Sequence, residues 1–417
     1  MQLYIANEYD NLRTVLVHRP GDEIDRLTHD NMRRFLFEDI PFLAGMQEEH
    51  DEFCGELQDN DIRVLYLEQL LLELFHRQPL ARSRVVDQVC TTEQCPAIIP
   101  DLLDGKLFPD DKLARVLFAG ITNAEFYEHT GRPPLAGSSK NTFILPPIPN
   151  AYFSRDPAVV IGRCVVCCKM HYAERIRETI LVRAVLENHP EFAGHTVAYG
   201  GSQNPTEDRP FTIEGGDVIV LNEEAVLIGV SERTRSETIK VFARKAFSAG
   251  HAKRCYEIPI PTERTFMHLD TVFTIVDRGV VVWYPGVMDN VANIEHFAWD
   301  PAGVVVRKTE TRSLTEILSD EFGCDLKIIR TGGGDAHYAS REQRTDGTNI
   351  LAIAPGVACT YRRNSKTIQA MQKAGIQIIE IEGSELVRGL GGPRCMSMPL
   401  SREAQKPDTV DSPREVL

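Results

Sequence analysis

The sequence predicts an α/β protein in which short apolar strands alternate with amphipathic helices along most of the chain. About five units repeat the same rhythm of two strands, a helix and usually a third strand. Residues 71–130 interrupt this rhythm with helical spacing and few β-branched runs. Five such units fit either a ring, with equivalent loops around one central axis, or a single doubly wound sheet.

The first unit occupies the N-terminal region. The apolar run LRTVLVH at residues 12–18 predicts a strand, and the Pro20-Gly21 pair predicts a turn after it. A helix is expected over residues 42–59, and IRVLYL at residues 62–67 predicts the next strand.

The later units follow the helical stretch, which ends in proline-rich connectors at residues 133–134 and 146–149. Four stretches then combine strand and helix patterns, namely residues 158–189, 211–247, 268–285 and 349–383. We therefore expect one discontinuous α/β domain, residues 1–70 and 131–417, with residues 71–130 as an all-helical insertion. The polar tail from about residue 404 reads as frayed.

Composition restricts the partners. The net charge of −14 argues against a surface for nucleic acid, although it suits a small cationic substrate. No apolar run approaches the roughly 20 residues that cross a membrane, and the N-terminus does not have the layout of a signal peptide. Ten cysteines without an export signal predict reduced thiols and a cytoplasmic protein. Cys164, Cys167 and Cys168 have a metal-like spacing, but VVIGRCVVCC predicts a buried strand.

Three motifs at comparable places in successive units carry acids or a histidine near strand ends. They are NAYFSRD at residues 150–156, EGGD at residues 214–217 and HLD at residues 268–270. Residues i and i+2 of a strand share a face, so we expect His268 and Asp270 to point the same way.

The fourth candidate is Cys395 in the glycine-rich stretch RGLGGPRCMSMP. Glycines at 389, 391 and 392 permit positive φ and a close backbone approach, and a thiol on such a loop is suited to nucleophilic attack. Each candidate alone also has a structural explanation, as a buried cysteine, a turn or a satisfied surface pair. Together they provide the cysteine, histidine and acid of a nucleophilic site.

These motifs resemble those of the arginine deiminases. The resemblance covers NAYFSRDP, FTIEGGD, MHLD, DGTNILAIAPG and GLGGPRCMSMPLSRE, together with the opening LRTVLVHRPG and LFEDI at residues 36–40. It spans nearly the whole chain in order. It implies the fold of the guanidine-modifying superfamily, a five-bladed α/β propeller (pentein fold) of ββαβ units, with a helical insertion in the first blade.

The resemblance also implies the reaction, which is hydrolysis of the guanidinium of free L-arginine to citrulline and ammonia. Cys395 is then the nucleophile and His268 the general acid and base, held by Glu214. Asp156 and Asp270 are expected to grip the guanidinium. No step requires a metal or another cofactor, and we expect a homo-oligomer that binds neither nucleic acid nor membranes.

Substrate binding is implied for four further residues. Phe153 flanks the aliphatic stem, and Asn150, Arg175 and Arg233 occupy positions that bind the α-carboxylate in the family. Some family members have arginine where Leu390 stands, while others have an apolar residue, as this chain does. Carboxylate binding is therefore expected to depend on Arg175, Arg233 and backbone N–H groups.

The residue types suit this chemistry. A guanidinium is a planar, delocalised cation, and two carboxylates can hold it flat through charge-assisted hydrogen bonds. The same carboxylates raise the pKa of a nearby thiol, whereas the bound cation and a protonated His268 lower it. We therefore expect Cys395 to be protonated in the free enzyme and to ionise when substrate binds.

Other functions are compatible with parts of this pattern. Agmatine deiminases, amidinotransferases and dimethylarginine hydrolases use similar cysteine and histidine chemistry, although Arg175 and Arg233 favour a substrate with a carboxylate. A metal-dependent hydrolase could use His268, Asp270 and Glu214 together with Asp217, but the sequence has no HExxH-like spacing there. A non-catalytic binding protein on the same fold is the third alternative.

Overall fold

The computed structural model describes residues 1–132, 139, 141–199, 211–248, 252–300 and 305–403. The proline pair at 133–134 and the polar tail from residue 404 lie outside these residues. None of the helices in the described ranges is both long enough and apolar enough to cross a membrane.

Strands in the described residues are β1 (Asn11–Val17), β2 (Arg63–Tyr66), β3 (Ile121–Thr122), β4 (Phe143–Leu145), β5 (Ala158–Ile161), β6 (Cys164–Cys167), β7 (Thr196–Tyr199), β8 (Val218–Asn222), β9 (Ala225–Val230), β10 (Arg254–Pro259), β11 (Phe273–Asp277), β12 (Val280–Trp283), β13 (Glu295–Trp299), β14 (Val305–Thr309), β15 (Lys327–Arg330), β16 (Leu351–Ala354), β17 (Val357–Tyr361), β18 (Gln377–Ile381) and β19 (Met398–Glu403). The α-helices are α1 (Leu43–Asp59), α2 (Leu67–Arg77), α3 (Pro79–Thr92), α4 (Ile99–Leu103), α5 (Asp110–Ala119), α6 (Asn123–Thr130), α7 (Ile176–Asn188), α8 (Ser236–Ser248), α9 (Pro285–Met288), α10 (Leu314–Phe322), α11 (Ala336–Gln343) and α12 (Ser365–Lys373).

Five sheets repeat one pairing scheme, in which a central strand has an antiparallel partner on one side and a parallel partner on the other. In the sheet β5-β6-β7, β6 pairs antiparallel with β5 and parallel with β7. The central strands β1, β9, β12 and β17 have the same two kinds of partner. A helix connects each central strand to its parallel partner, because parallel strands need a crossover. The described strands therefore form separate sheets instead of one doubly wound sheet.

The last strand of the described chain completes the first sheet. β19 pairs antiparallel with β1, and Met398 lies opposite Leu16. The sequence predicted only an apolar run after Cys395, because a local pattern does not reveal a partner almost 400 residues away. This pairing anchors the chain immediately after the cysteine.

The third sheet has two strands that the repeated rhythm does not include. β13 and β14 form a hairpin that adds to the edge of β10, giving the order β14-β13-β10-β9-β8. The hairpin lies between β12 and β15 in the chain, so it belongs to one unit by sequence and to its neighbour by hydrogen bonding.

Helices α2 to α6 occupy the region that the sequence predicted to be helical. The first of them begins at Leu67 instead of Leu71, because the buried stripe Leu67, Leu70, Leu71 and Leu74 continues the helical spacing back to the end of β2. These helices share one hydrophobic cluster with the sheet β5-β6-β7 and helix α7. Cys164 and Cys167 lie in that cluster on strand β6, as the buried-strand reading predicted.

Candidate active site

Most of the predicted site residues line one narrow cavity. Seven of the nine line it, namely Asn150, Phe153, Asp156, Arg175, Arg233, His268 and Cys395. Glu214 and Asp270 lie immediately behind this wall, the first in contact with His268 and the second in contact with Cys395. Residues from the second, third and fourth units and from the segment around Cys395 thus meet around one space.

Cys395 is buried, with 4% of its surface exposed. Its Sγ lies 3.6 Å from Asp270 Oδ2. Burial, together with the negative charges of Asp270, Asp156 and Asp346, raises the thiol pKa well above its ordinary value, while Arg394 lowers it. The free protein therefore holds Cys395 mainly as a thiol.

The glycines beside Cys395 serve close packing, and the expectation of positive φ at these positions is wrong. The left-handed residue of this stretch is Leu390, with φ of 68°. A Cβ at Gly389 would collide with Tyr152, one at Gly391 with Phe153, and one at Gly392 with the Asn349 carbonyl 2.6 Å away. Because these three glycines have no side chain, the loop can lie directly against the cavity wall.

Asn349 is a contact of the cysteine that the sequence analysis did not single out. Its Nδ2 lies 3.0 Å from Cys395 Sγ, and its Oδ1 accepts a hydrogen bond from the Cys395 backbone N–H at 2.9 Å. The only sequence signal was its place in the DGTNI run, immediately before a buried strand.

His268 and Glu214 form a buried pair, with 2.8 Å between Nε2 and Oε2. Burial alone would lower the His268 pKa, but Asp156 and the hydrogen bond to Glu214 outweigh it and raise the pKa to about 9. Gly216 permits this approach, since a Cβ there would lie 2.6 Å from His268 Nδ1. The imidazole is therefore held as a cation at neutral pH.

The expectation that His268 and Asp270 share one face of a strand is wrong. Residues Leu269–Thr271 form a 3-10 turn, and strand β11 begins only at Phe273. The Leu269 N–H donates to Asp217 Oδ1 at 2.8 Å. Because this side chain occupies the backbone donor, the segment forms a turn instead of pairing with a neighbouring strand. His268 then faces Glu214, while Asp270 faces Cys395.

Asp156 and Asp270 have the same unusual bonding. Arg175 Nη1 donates to Asp156 Oδ2 at 2.8 Å, and Arg394 Nη1 donates to Asp270 Oδ2 at 2.8 Å. The other oxygen of each carboxylate, Oδ1, is buried without a hydrogen-bond partner. Buried carboxylate oxygens normally accept a hydrogen bond, so each Oδ1 retains the capacity to accept from a donor that enters the cavity.

Arg175 lies nearer the predicted catalytic acids than its predicted carboxylate-binding role suggests. Besides Asp156, its guanidinium contacts Glu178 through three hydrogen bonds of 2.7, 3.0 and 3.2 Å and lies 3.6 Å from Glu214. Burial raises the Glu178 pKa to about 7 even though Arg175 opposes this effect. The Arg175 guanidinium thus already contacts three buried acids, Asp156, Glu178 and Glu214.

Arg233 contacts Glu214 Oε2 at 3.3 Å and stacks over Tyr172, with 4.6 Å from its Cζ to the ring centroid. Asn150 donates to the Phe35 carbonyl at 2.8 Å, and Phe153 packs on Tyr152 with 4.0 Å between ring centroids. The cavity wall is therefore fixed by contacts made before any ligand enters.

Residues 33–402 match the sequence profile of the arginine deiminase family. The chain is 37% identical to an arginine deiminase from Listeria welshimeri over 407 residues, which cover 96% of this chain and 98% of that protein. It is 38% identical to one from Bacillus cytotoxicus over 410 residues, with 96% and 98% covered. The chain belongs to the arginine deiminase family.

Solved structures share the α/β fold of this arginine deiminase family member at low sequence identity. An amidinotransferase of saxitoxin biosynthesis from Microseira wollei aligns with a TM-score of 0.57 at 14% identity, covering 97% of this chain and 98% of that one. A DDAH from Pseudomonas aeruginosa aligns with a TM-score of 0.51 at 15% identity, covering 93% and 99%. These alignments concern the fold alone.

The candidate site also contains a group of three side chains that could bind a metal. Ligand atoms of Asp156, Glu214 and His268 all lie within 4.8 Å of one another. Arg175 and Arg233 already donate to two of these residues, so a metal ion would have to displace or face two guanidinium cations. The same arrangement suits a planar organic cation, which adds donors without concentrating a double charge.

Proposed function

We propose that this protein hydrolyses free L-arginine to L-citrulline and ammonia through a covalent intermediate on Cys395. The observation that carries the proposal is the meeting of Cys395 and His268 at one cavity with Asp156 and Asp270 in a member of the arginine deiminase family. The curated relatives are named arginine deiminase, and this chain covers almost their entire length.

The two unpartnered Oδ1 atoms are proposed to receive the substrate guanidinium. Asp156 lies on the His268 side and Asp270 on the Cys395 side, so a cation between them would be held flat. Arg175 and Arg394 keep the outer oxygen of each carboxylate, Oδ2, occupied. The cost of burying the substrate cation is thereby offset by two fixed anions.

Substrate charge then activates the nucleophile. The bound guanidinium lowers the Cys395 pKa, the thiol releases its proton to solvent, and the thiolate attacks the guanidinium carbon. The tetrahedral intermediate collapses as its C–N bond breaks. His268 supplies a proton to the departing nitrogen, ammonia leaves, and a thiouronium remains on the sulfur.

Hydrolysis of the intermediate reverses the role of the histidine. His268, now neutral, accepts a proton from the water that attacks the thiouronium carbon. The C–S bond breaks, the hydroxyl proton of the tetrahedral intermediate passes to the departing sulfur to restore the thiol, and citrulline carries away the oxygen of that water. Glu214 keeps the imidazole oriented and stabilises its protonated form in both halves.

The remaining predicted residues are proposed to hold the rest of the substrate. Phe153 flanks the aliphatic stem, and Asn150, Arg233 and Arg175 recognise the α-carboxylate end. Because Arg175 donates to Asp156 Oδ2 in the free protein, Asp156 is proposed to accept the substrate guanidinium through Oδ1 while the contact with Arg175 is kept.

We also propose that the five sheets are the blades of a pseudo-fivefold propeller. In this arrangement residues 71–130 form an all-helical insertion into one discontinuous catalytic domain. A cytoplasmic location and a homo-oligomeric state are part of the same proposal.

Turnover of L-arginine in metal-free buffer tests the function directly. Purified protein should release citrulline and ammonia in equal amounts, act poorly on agmatine, and transfer nothing to an added amine. Cys395→Ala should abolish turnover, whereas Cys359→Ala alters a buried cysteine of the same hydrophobic cluster and should retain it. Substantial turnover by Cys395→Ala would end the covalent scheme.

A further inference from the structure

The side-chain amide of Asn349 makes three hydrogen bonds to the loop that carries Cys395. Its Oδ1 accepts from the backbone N–H groups of Cys395 at 2.9 Å and of Gly392 at 3.1 Å, and its Nδ2 lies 3.0 Å from Cys395 Sγ. The two backbone donors can face only the oxygen, so the NH₂ group faces the sulfur. The direction of the amide is thus decided by the network.

Asn349 is also linked to the acid beside that sulfur. It is fully buried, and the preceding Thr348 donates through Oγ1 to the Asp270 carbonyl at 3.4 Å. Gly392 lets the loop approach, because a Cβ there would lie 3.0 Å from Asn349 Oδ1. The segment before β16 therefore fixes the relative position of Cys395 and Asp270.

The charges that face Cys395 explain why a donor at this point matters. Asp270, Asp156 and Asp346 all disfavour the thiolate, and Arg394 is the cation that opposes them. The Arg394 guanidinium donates hydrogen bonds to Asp270, Glu8 and the Val218 carbonyl. Among the described contacts of Sγ, the Asn349 amide supplies the hydrogen bond that a thiolate can accept.

We propose that Asn349 is a further catalytic residue, whose amide fixes the direction of the Cys395 sulfur and stabilises its thiolate form by hydrogen bonding. This inference rests on the proposed role of Cys395 as the nucleophile. A hydrogen bond to a charged group is stronger than one to its neutral form, so the amide favours ionisation. We expect its loss to reduce the thiolate fraction by about tenfold.

Asn349→Asp tests the amide donor most directly. The new carboxylate keeps one oxygen to accept from the backbone N–H groups of Cys395 and Gly392, but it places an acceptor where the Asn349 NH₂ group faced the sulfur. Asn364→Asp is its matched control. Asn364 is equally buried and lies on the same unit, but it bonds to Thr345 and does not contact the cysteine. The two variants make the same chemical change in similar burial.

The measurement is the rate at which iodoacetamide abolishes arginine turnover, followed from pH 6 to pH 10. Using activity as the readout restricts the signal to the essential thiol. Asn349→Asp should move the inactivation profile upward by about one pH unit or more and reduce kcat by at least about tenfold. Asn364→Asp should overlay the wild-type profile.

Two further results separate this inference from the proposed function. If Cys395→Ala is inactive but Asn349→Asp has the wild-type alkylation profile, the inference is overturned and the proposed function stands. If Cys395→Ala is active, the proposed function fails first. Should Asn349→Asp fold poorly, Asn349→Ser removes the contact without adding charge, and an unshifted profile in that variant is equally decisive against the inference.

Discussion

Arg394 Nη1 lies 2.8 Å from Asp270 Oδ2, on a guanidinium that is almost fully buried. The same guanidinium contacts Glu8 at 3.2 Å and the Val218 carbonyl at 3.0 Å. Burial lowers the Arg394 pKa, but Glu8 and Asp270 outweigh this effect and raise it. Arg394 therefore stays charged, and it orients the acid that flanks its own neighbour, Cys395.

Replacing Arg394 with methionine should impair both folding and turnover. Asp270 would remain buried without its cation, which typically costs about 3–5 kcal/mol of unfolding free energy. The reoriented Asp270 should also reduce kcat/KM by about a hundredfold or more, since a displaced group near the reaction centre is costly. Urea unfolding and steady-state kinetics measure the two effects.

Arg402→Met provides the comparison for Arg394→Met. Arg402 is another buried arginine near Glu8, but it donates to the Asp10 and Ala352 carbonyls and does not contact Asp270. It should lose stability while the folded fraction keeps wild-type kcat. Equal loss of kcat in both variants would show that Arg394 acts only through folding.

Local periodicity explains why much of the fold could be predicted from the sequence. Strands and helices have different spacings of apolar residues, so the five repeated units and the helical stretch between β2 and β4 are visible without a structure. The pairing of β19 with β1 and the addition of β13 and β14 to a neighbouring sheet depend on contacts between distant segments. Nothing in a local window specifies such partners.

The sequence likewise predicts some residues of the candidate site and leaves others to be found in the structure. Cys395, His268 and Glu214 were visible because reactive side chains in glycine-rich or strand-end motifs are informative by type. Asn349 and Arg394 contribute through geometry, and an asparagine or arginine in an otherwise ordinary run has no distinguishing pattern.

The buried pair of His268 and Glu214 predicts how the free energy of unfolding depends on pH. The His268 pKa is about 9 in the folded protein and about 6.5 when unfolded, so its contribution is fully present below pH 6.5. The contribution should disappear as the pH rises through about 9. Comparing urea unfolding of wild type and His268→Asn between pH 6 and pH 10 should show a difference that shrinks by about 3 kcal/mol at most.

His50 is the control for the His268 experiment, because its pKa is shifted in the opposite direction. Burial lowers its pKa to about 3, so its stabilising contribution is present above pH 6.5 and is lost as the pH falls toward 3. The difference between wild type and His50→Asn should therefore change on the acid side only. Parallel profiles for the two histidine variants would contradict the assigned protonation states.

Metal removal should leave turnover unchanged. Asp156, Glu214 and His268 could geometrically surround an ion, but Arg175 and Arg233 already bond to the two acids. Dialysis against EDTA, followed by assay with L-arginine, should give the kcat of the untreated protein. Loss of activity that added Zn²⁺ restores would instead favour the metal-dependent hydrolase.

The mouth of the cavity predicts how the carboxylate of arginine is recognised. Arg264 and Leu390 both line the cavity, and Arg264 donates to the Leu36 carbonyl and lies 3.3 Å from Glu38 Oε1. About a third of the Arg264 side chain is exposed, at 32%, whereas Arg175 and Arg233 are buried against Asp156 and Glu214. Of the three arginines that line the cavity, Arg264 is therefore the one that faces solvent, and we expect it to contact the carboxylate of an entering substrate.

Arg264→Ala should raise the KM for L-arginine by about tenfold, the loss expected for one hydrogen bond to a charged group, with little change in kcat. Activity on agmatine, which has no carboxylate, should not fall further. Arg344→Ala is the matched control, because Arg344 also pairs with Glu38 but does not line the cavity. If both variants raise KM equally, the effect comes from freeing Glu38 and not from a lost carboxylate contact. A rise confined to Arg264→Ala and to L-arginine would assign the carboxylate contact to this residue and explain how the site functions with leucine at position 390.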